Sequence, residues 1–275
     1  MSLRINTNVE AFNAHRQLQS TESAISKSME RLSSGYRINT AADDAAGLAI
    51  SEKMQAQIGG LDQAQRNAQD AISMVQTGEG AMNEVHAMLQ RVRDLAVQFN
   101  NGTLATADKA AITAEVAQLC TEISKIGADT QFNGIALLSG SSSITFQVGA
   151  NDGETISISQ VKLFGTSTTQ DQFAVDAGIF NFSGTVTLQS IDDAINNVSS
   201  QRATLGATQN RLEHTLNNLA TYEQNLQSSE SQIKDVDMAS EMVNFTKLQI
   251  LQQAGTSMLA QANQAPQSVL SLLRG

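Results

Sequence analysis

Residues 198–233 read VSSQRATLGATQNRLEHTLNNLATYEQNLQSSESQI, and this stretch decides the architecture. Val198, Leu205, Leu212, Leu219, Leu226 and Ile233 fall seven apart without a miss. An α-helix returns to nearly the same face every seven residues, so the register draws an apolar seam along one long helix. The second line of the repeat is weaker: Ile195 and Leu216 are apolar, but Arg202, Gln209, Glu223 and Glu230 are not. One strong seam beside a polar flank calls for a different helix of the same molecule as its partner, not an identical chain.

The C-terminal segment poses a second packing question. Residues 248–275 read LQILQQAGTSMLAQANQAPQSVLSLLRG, with no charged side chain from Leu248 to Leu273 in a chain of formal net charge -10. Gln249, Gln252, Gln253, Gln261, Asn263, Gln264 and Gln267 exclude a lipid environment, where unpaired amides are costly. Leu248, Leu251, Gly255, Met258, Ala262, Ala265, Val269 and Leu272 nevertheless alternate steps of three and four, one stripe of a helix that needs a partner. The N-terminal segment offers one. Ala11, Leu18, Ile25 and Leu32 are also seven apart, with Ala14, Ala24 and Met29 nearby, and the pattern stops at SSGYRINT around Gly35.

Between these ends the helical period dominates. A pattern from Ala45 to Phe99 is weakened only by TGEG at 77–80 and ends at NNGT, and a third helix is expected over about 106–128. The texture then changes over 140–186. SITFQVGANDGETISIS alternates apolar and polar residues around Asn151-Asp152-Gly153, the composition of a hairpin, and five of nine Phe (146, 164, 173, 180, 182) lie in this region. The fold expected is mainly α. It is a long antiparallel helical bundle or coiled coil formed by the N- and C-terminal halves, with a small β-hairpin region at its tip. The expected domains are 1–40 plus 236–275, 41–139 plus 187–235, and the short β-rich 140–186.

Composition narrows the function. Aromatics are 4% with no Trp, and there is one Pro, a balance that suits long uninterrupted helices better than a compact enzyme core. Residues 1–50 hold five basic and five acidic groups, and 236–275 hold two of each, so the net charge belongs to 51–235. An acidic middle argues against nucleic acid. No apolar stretch reads as a cleaved signal or as a membrane-spanning helix. His15, His86 and His214 stand on separate predicted helices without metal-ligand spacing, and Cys120 has no activating neighbour in sequence, so no catalytic residue, metal or cofactor is expected. Asp43-Asp44 is expected to cap a helix N-terminus.

Several long motifs resemble the bacterial flagellins. RINTNVEAFNAHRQL (4–18), the run from MERLSSGYRINTAADDAAGLAI through VQTGEGAMNE (29–84), MLQRVRDLAVQFNNGT (88–103) and DTQFNGIALL (129–138) are similar to the family's N-terminal half. SQIKDVDMASEMVNFTKLQILQQAGTSMLAQANQAPQSVLSLL (231–273) is similar to its C-terminal half, and only the centre departs, lacking large outer domains. The resemblance implies a structural subunit that polymerises into the flagellar filament, with paired terminal helices lining the inner tube. Ala11, Leu18, Ile25, Leu32, Leu248, Leu251, Met258, Val269 and Leu272 are the expected polymerisation residues. It also implies an extracellular protein, secreted without a cleaved signal through the flagellar type III export apparatus. The implied partners are further copies of the chain, the filament cap and hook-junction proteins, and an export chaperone on Phe245, Leu248, Leu251, Met258, Leu259, Val269 and Leu270. An animal Toll-like receptor is a further implied partner, at Arg91, Leu95 and Glu115. Residues 1–40 and 236–275 are expected to be mobile in the free subunit. The alternatives are a hook–filament junction protein and a soluble coiled-coil adhesin or receptor-binding module.

Overall fold

The computed structural model describes residues 8–140, 142–161 and 187–274, with backbone alone over 265–274. The chain is mainly α. Helices α1 (Val9–Ser34), α2 (Ala45–Phe99) and α3 (Thr106–Asp129) precede strands β1 (Gln131–Phe132), β2 (Ile135–Ala136), β3 (Ser143–Gln147) and β4 (Thr155–Ser159). Helices α4 (Leu188–Lys234) and α5 (Met238–Arg274) follow. Two compact units result: a middle unit of residues 57–224 and a terminal unit of 1–56 with 225–275. These boundaries lie further into the chain than the sequence suggests.

The middle unit is organised around the seam that opened the sequence reading. Val198, Leu205, Leu212 and Leu219 are buried, and Ile191 extends the register one repeat toward the start of α4. Ile191, Val198, Leu205 and Leu212 share one core with an α2 stripe that includes Val75, Met82, Val85, Leu89 and Val92, and an α3 stripe of Ile112, Val116, Cys120 and Ile123. Polar flanks join the helices outside this core. Arg93 Nε donates to Asp192 Oδ1 at 2.6 Å, and Gln65 donates to Glu223. Glu223, one of the polar positions that weaken the second line of α4, therefore serves as a cross-helix contact.

TGEG does not interrupt α2. Gly78 is buried, and a Cβ there would lie 3.8 Å from Leu137 and 3.9 Å from Leu205, ordinary contact distances. Burial of Met74, Val75, Met82 and Val85 on either side outweighs a glycine cost of about 1 kcal/mol. The expected hairpin forms with Ile144 opposite Ile158 and Phe146 opposite Ile156, and Gly153 takes φ 87 in its turn. Ile156 and Ile158 bury against the helical core. Phe164, Phe173, Phe180 and Phe182 lie outside the described residues.

In the terminal unit α1 and α5 lie antiparallel. Asn8 Nδ2 meets the Ala262 carbonyl at one end, and Arg31 faces Glu241 at the other. A short backbone staple closes the second end. Arg37 N donates to Lys234 O at 2.7 Å, Val236 N donates to Gly35 O at 3.0 Å, and Lys234 Nζ sits 4.7 Å from the Tyr36 ring centroid. Gly35 permits the reversal with φ 75, terminating α1 in the left-handed conformation.

Candidate assembly interface

The α1–α5 seam follows a strict heptad on both helices. On α1 it comprises Ala11, Ala14, Leu18, Thr21, Ile25, Ser28 and Leu32; on α5 it comprises Glu241, Phe245, Leu248, Gln252, Gly255, Leu259 and Ala262. Small residues let the axes approach: a Cβ on Gly255 would already stand 3.4 Å from Leu18 Cδ1. The seam is thin and partly polar. Thr21 and Ser28 are buried on α1, Glu241 on α5, and Ile38 is the one buried apolar side chain among the described residues of this unit. Arg31 Nη1 stands 4.0 Å from Glu241 Oε2, while Ser28 Oγ and Arg31 Nε have no hydrogen-bond partner.

This register corrects the stripe drawn from the sequence. Leu248, Gly255 and Ala262 lie on it, but Leu251 and Met258 do not: the second line is one residue further on, at Gln252 and Leu259. Either line can flank the 248–255–262 row on a helix. Choosing by apolarity favours Leu251 over Gln252, whereas the line carrying Phe245 and Leu259 is the one that faces α1. Met29 is likewise outside the seam, at 54% exposure. Val269, Leu270 and Leu272 fall where side chains are not described.

What this leaves exposed is the important observation. Val243 is 71% exposed, Met258 65%, Ile250 63%, and Phe12 on α1 80%. At about 100° per residue, Val243 and Ile250 lie on the far side of α5 from the seam, Leu251 and Met258 beside it, and Met238 and Met242 on the opposite flank. α5 therefore carries apolar side chains on several sides, interspersed with amides, and those outside the seam are open to neighbours. An open groove of about 730 Å³ along the pair is lined by Glu10, Asn13, Ala14, Met258, Gln261 and Ala262, so its walls carry a single charge.

The two aspartates divide their tasks. Asp44 Oδ1 accepts from Gly47 N at 2.9 Å and caps α2, whereas Asp43 faces the preceding turn. Asp43 pairs with Lys27 Nζ at 2.6 Å and accepts from Asn39 N, Thr40 N and the Thr40 hydroxyl. The Lys27 bond first, and then the Thr40 N–H, hold this carboxyl well below the usual carboxylate range. A Cβ on Gly47 would come within 2.7 Å of Ile38 Cδ1, so the cap and the buried Ile38 require a bare backbone there.

In the middle unit the structure brings Arg91 and Glu115 together. The guanidinium donates to Glu115 Oε1 from Nε at 2.9 Å and from Nη2 at 2.7 Å, both side chains remaining about half exposed. Leu95, which the resemblance groups with them, is only 2% exposed. It continues the Leu89 and Val92 stripe that packs into the core. Cys120 is buried, which pushes its thiol up to about 11. Sequence reasoning missed the pairing of β1 with β2, although Asn133-Gly134 was a usable signal: both residues take positive φ, 50 and 78, as a tight hairpin turn demands. It also missed the buried Thr21 and Ser28, which no apolar pattern would select.

The bacterial flagellin N-terminal helical region matches residues 5–143, and the bacterial flagellin C-terminal helical region matches 188–273. The chain belongs to the bacterial flagellins. It is 51% identical to a flagellin of Halalkalibacterium halodurans over 271 residues, covering 98% of this chain and 99% of the relative. It is 46% identical to the flagellar filament 33 kDa core protein of Treponema phagedenis over 289 residues, covering 98% and 99%. A putative flagellar hook-associated protein from Vibrio parahaemolyticus shares the fold, with TM-score 0.59 at 17% identity over 70% of this chain and all of that one. This flagellin is a structural subunit of the flagellar filament and is extracellular in that setting. No described helix is long and apolar enough to cross a membrane.

Proposed function

We propose that the α1–α5 pair is the polymerisation device of the filament and forms its inner tube, with copies packing along the apolar flanks that the pair leaves open. One observation carries this reading: α5 keeps Val243, Ile250, Leu251 and Met258 outside its intramolecular seam. Burying such side chains contributes roughly 1.5–3 kcal/mol each, so repeated stacking supplies what the thin seam lacks. The neutral ends bear on the same point, since charges of one sign brought together around one axis would repel. A subunit that uses two different non-closing surfaces extends into an open helical polymer.

The same residues explain how export is coupled to assembly. Phe245, Leu248 and Leu259 lie in the seam with α1, while Leu251 and Met258 are exposed. A cytoplasmic chaperone that wraps 236–275 and takes all of these as anchors would displace α1, so chaperone binding and pairing exclude one another. The chain then travels through the flagellum's own type III channel and joins the growing end beneath the cap. Arg91 and Glu115 form a half-exposed charged patch suited to a host Toll-like receptor, to which buried Leu95 contributes by shaping the helix beneath.

The decisive experiment removes residues 1–40 and 236–275 and offers the remainder to filament seeds under negative stain. The full chain is expected to elongate the seeds and the truncated chain to leave them unchanged. Long regular fibres from the truncated chain overturn the reading.

A further inference from the structure

Pro266 is the single proline of the chain, and it lies inside α5. Proline has no N–H, so the carbonyl four residues before it loses its helical partner. That carbonyl belongs to Ala262, and it accepts from Asn8 Nδ2 at 2.7 Å. The other half of the same amide is also engaged: Asn8 Oδ1 accepts from Ala11 N at 3.1 Å and caps α1. Only one orientation of the amide satisfies both partners, because its oxygen cannot donate and its nitrogen cannot accept.

The arrangement answers a problem set by the seam. Small residues repeating at seven specify register poorly, since a slide of one heptad would again set Leu18 among α5 residues of the Leu248–Gly255–Ala262 line. Polar contacts at single positions remove that ambiguity, as a buried polar residue does in other coiled coils. Carbonyls in a regular helix interior already accept an N–H from the next turn; the proline removes that donor from Ala262, so this carbonyl is the strongest acceptor that α5 offers the Asn8 amide. Arg31 opposite Glu241 fixes the far end.

We infer that Asn8 is a positioning residue for filament assembly, and that Pro266 acts with it by freeing the Ala262 carbonyl as the mark against which α1 sets its register. This rests on the assembly reading above. It adds that the outward apolar flanks of α1 and α5 match a neighbouring copy only when the pair is held at this register.

The test is a double-mutant cycle. Asn8→Asp retains a capping oxygen and removes the donor; Pro266→Ala returns an N–H to the helix that competes with Asn8 for the Ala262 carbonyl. Each single change is expected to slow growth from filament seeds roughly five- to tenfold, the loss of about one hydrogen bond. The double variant is expected to be no slower than either, because both changes break one contact. Asn8→Ser, which caps but does not reach, should match Asn8→Asp. A double variant slowed by the product of the two single effects, or Asn8→Asp growing at the unmodified rate, overturns the inference.

A second arm reads register on the soluble chain, without assembly. Leu18→Cys is combined with Gly255→Cys, or with Leu248→Cys as the slipped pairing, then oxidised with diamide at low protein concentration and mapped. The slipped disulfide should rise several-fold when Asn8→Asp is added; no change in the ratio defeats the inference. Failure of the unmodified chain to grow from seeds counts against the assembly reading alone, since this arm still decides the register.

Discussion

Leu212 on α4 and Leu18 on α1 hold equivalent places in their heptads, yet Leu212 is fully buried and Leu18 only half buried. In the middle unit residues of three helices and a hairpin form one shared core, in which Leu, Ile, Val and Met are enclosed. In the terminal unit only two helices meet, their Leu, Ile and Phe seam positions interspersed with Ala, Gly, Ser, Thr and Gln and only partly buried, and further large apolar groups stay outside. The same period therefore builds a self-sufficient core in one place and half of an interface in the other. A heptad tells how a helix packs, while the size of its seam residues tells whether packing is complete within one chain.

The comparison can be broken most sharply at those two leucines. Leu212→Ala is expected to destabilise the middle unit by about 2–5 kcal/mol, read as a lower urea midpoint. Cys120 gives an independent reading: its buried thiol, pushed up to about 11, should resist alkylation at pH 8 until the unit opens, and Leu212→Ala should speed labelling. Leu18→Ala should shift neither the midpoint nor the labelling, but should abolish growth from seeds. A Leu18→Ala chain that loses as much monomer stability as Leu212→Ala would show the seam to be an ordinary core.

A smaller effect is expected at Gly47. Its Cβ would fall 2.4 Å from Asp44 Oδ2 and 2.7 Å from Ile38 Cδ1. Gly47→Ala therefore disturbs the α2 cap and the buried Ile38 together, and should cost about 1–3 kcal/mol in spite of the better helix propensity of alanine. The measurement is amide exchange over 36–48, with Gly59→Ala as the control because a Cβ there meets nothing within 4 Å. Equal behaviour of the two variants would mean that the loop repacks freely.

How far the sequence disclosed this structure follows from the same contrast. The α4 seam was legible because Val198, Leu205, Leu212 and Leu219 are large, apolar and buried within the molecule, so pattern and burial agree. On α5 they part company. Leu251 and Met258 are the more apolar choice, yet Gln252 and Leu259 face α1, because the apolar pattern of this helix serves two kinds of partner and one chain contains only the first. Leu95 shows the opposite relation: the resemblance groups it with Arg91, while its position in the Leu89–Val92 stripe commits its side chain to the core. The Asn8 contact was not legible at all, since it depends on a carbonyl freed by a proline in a helix at the other end of the chain.

The smallest effect is a pH dependence that separates a local ion pair from the burial around it. Lys27, and next the Thr40 N–H, lower the Asp43 carboxyl below its usual range, so protonation is harder in the folded chain than in the unfolded one. Such a group contributes its full stabilisation above the unfolded carboxylate value, about 4, and loses it as pH falls through the lower folded value. Protection of the 36–48 segment from exchange should accordingly be flat between about pH 5 and 8 and decline in more acidic solution. Lys27→Met should lower protection on the plateau only slightly, because Lys27 is half exposed and its field is screened by solvent and salt. The two chains should converge once Asp43 is protonated in both. A gap that persists unchanged in strong acid would mean that the lysine stem, packed along α1, matters there and its charge does not.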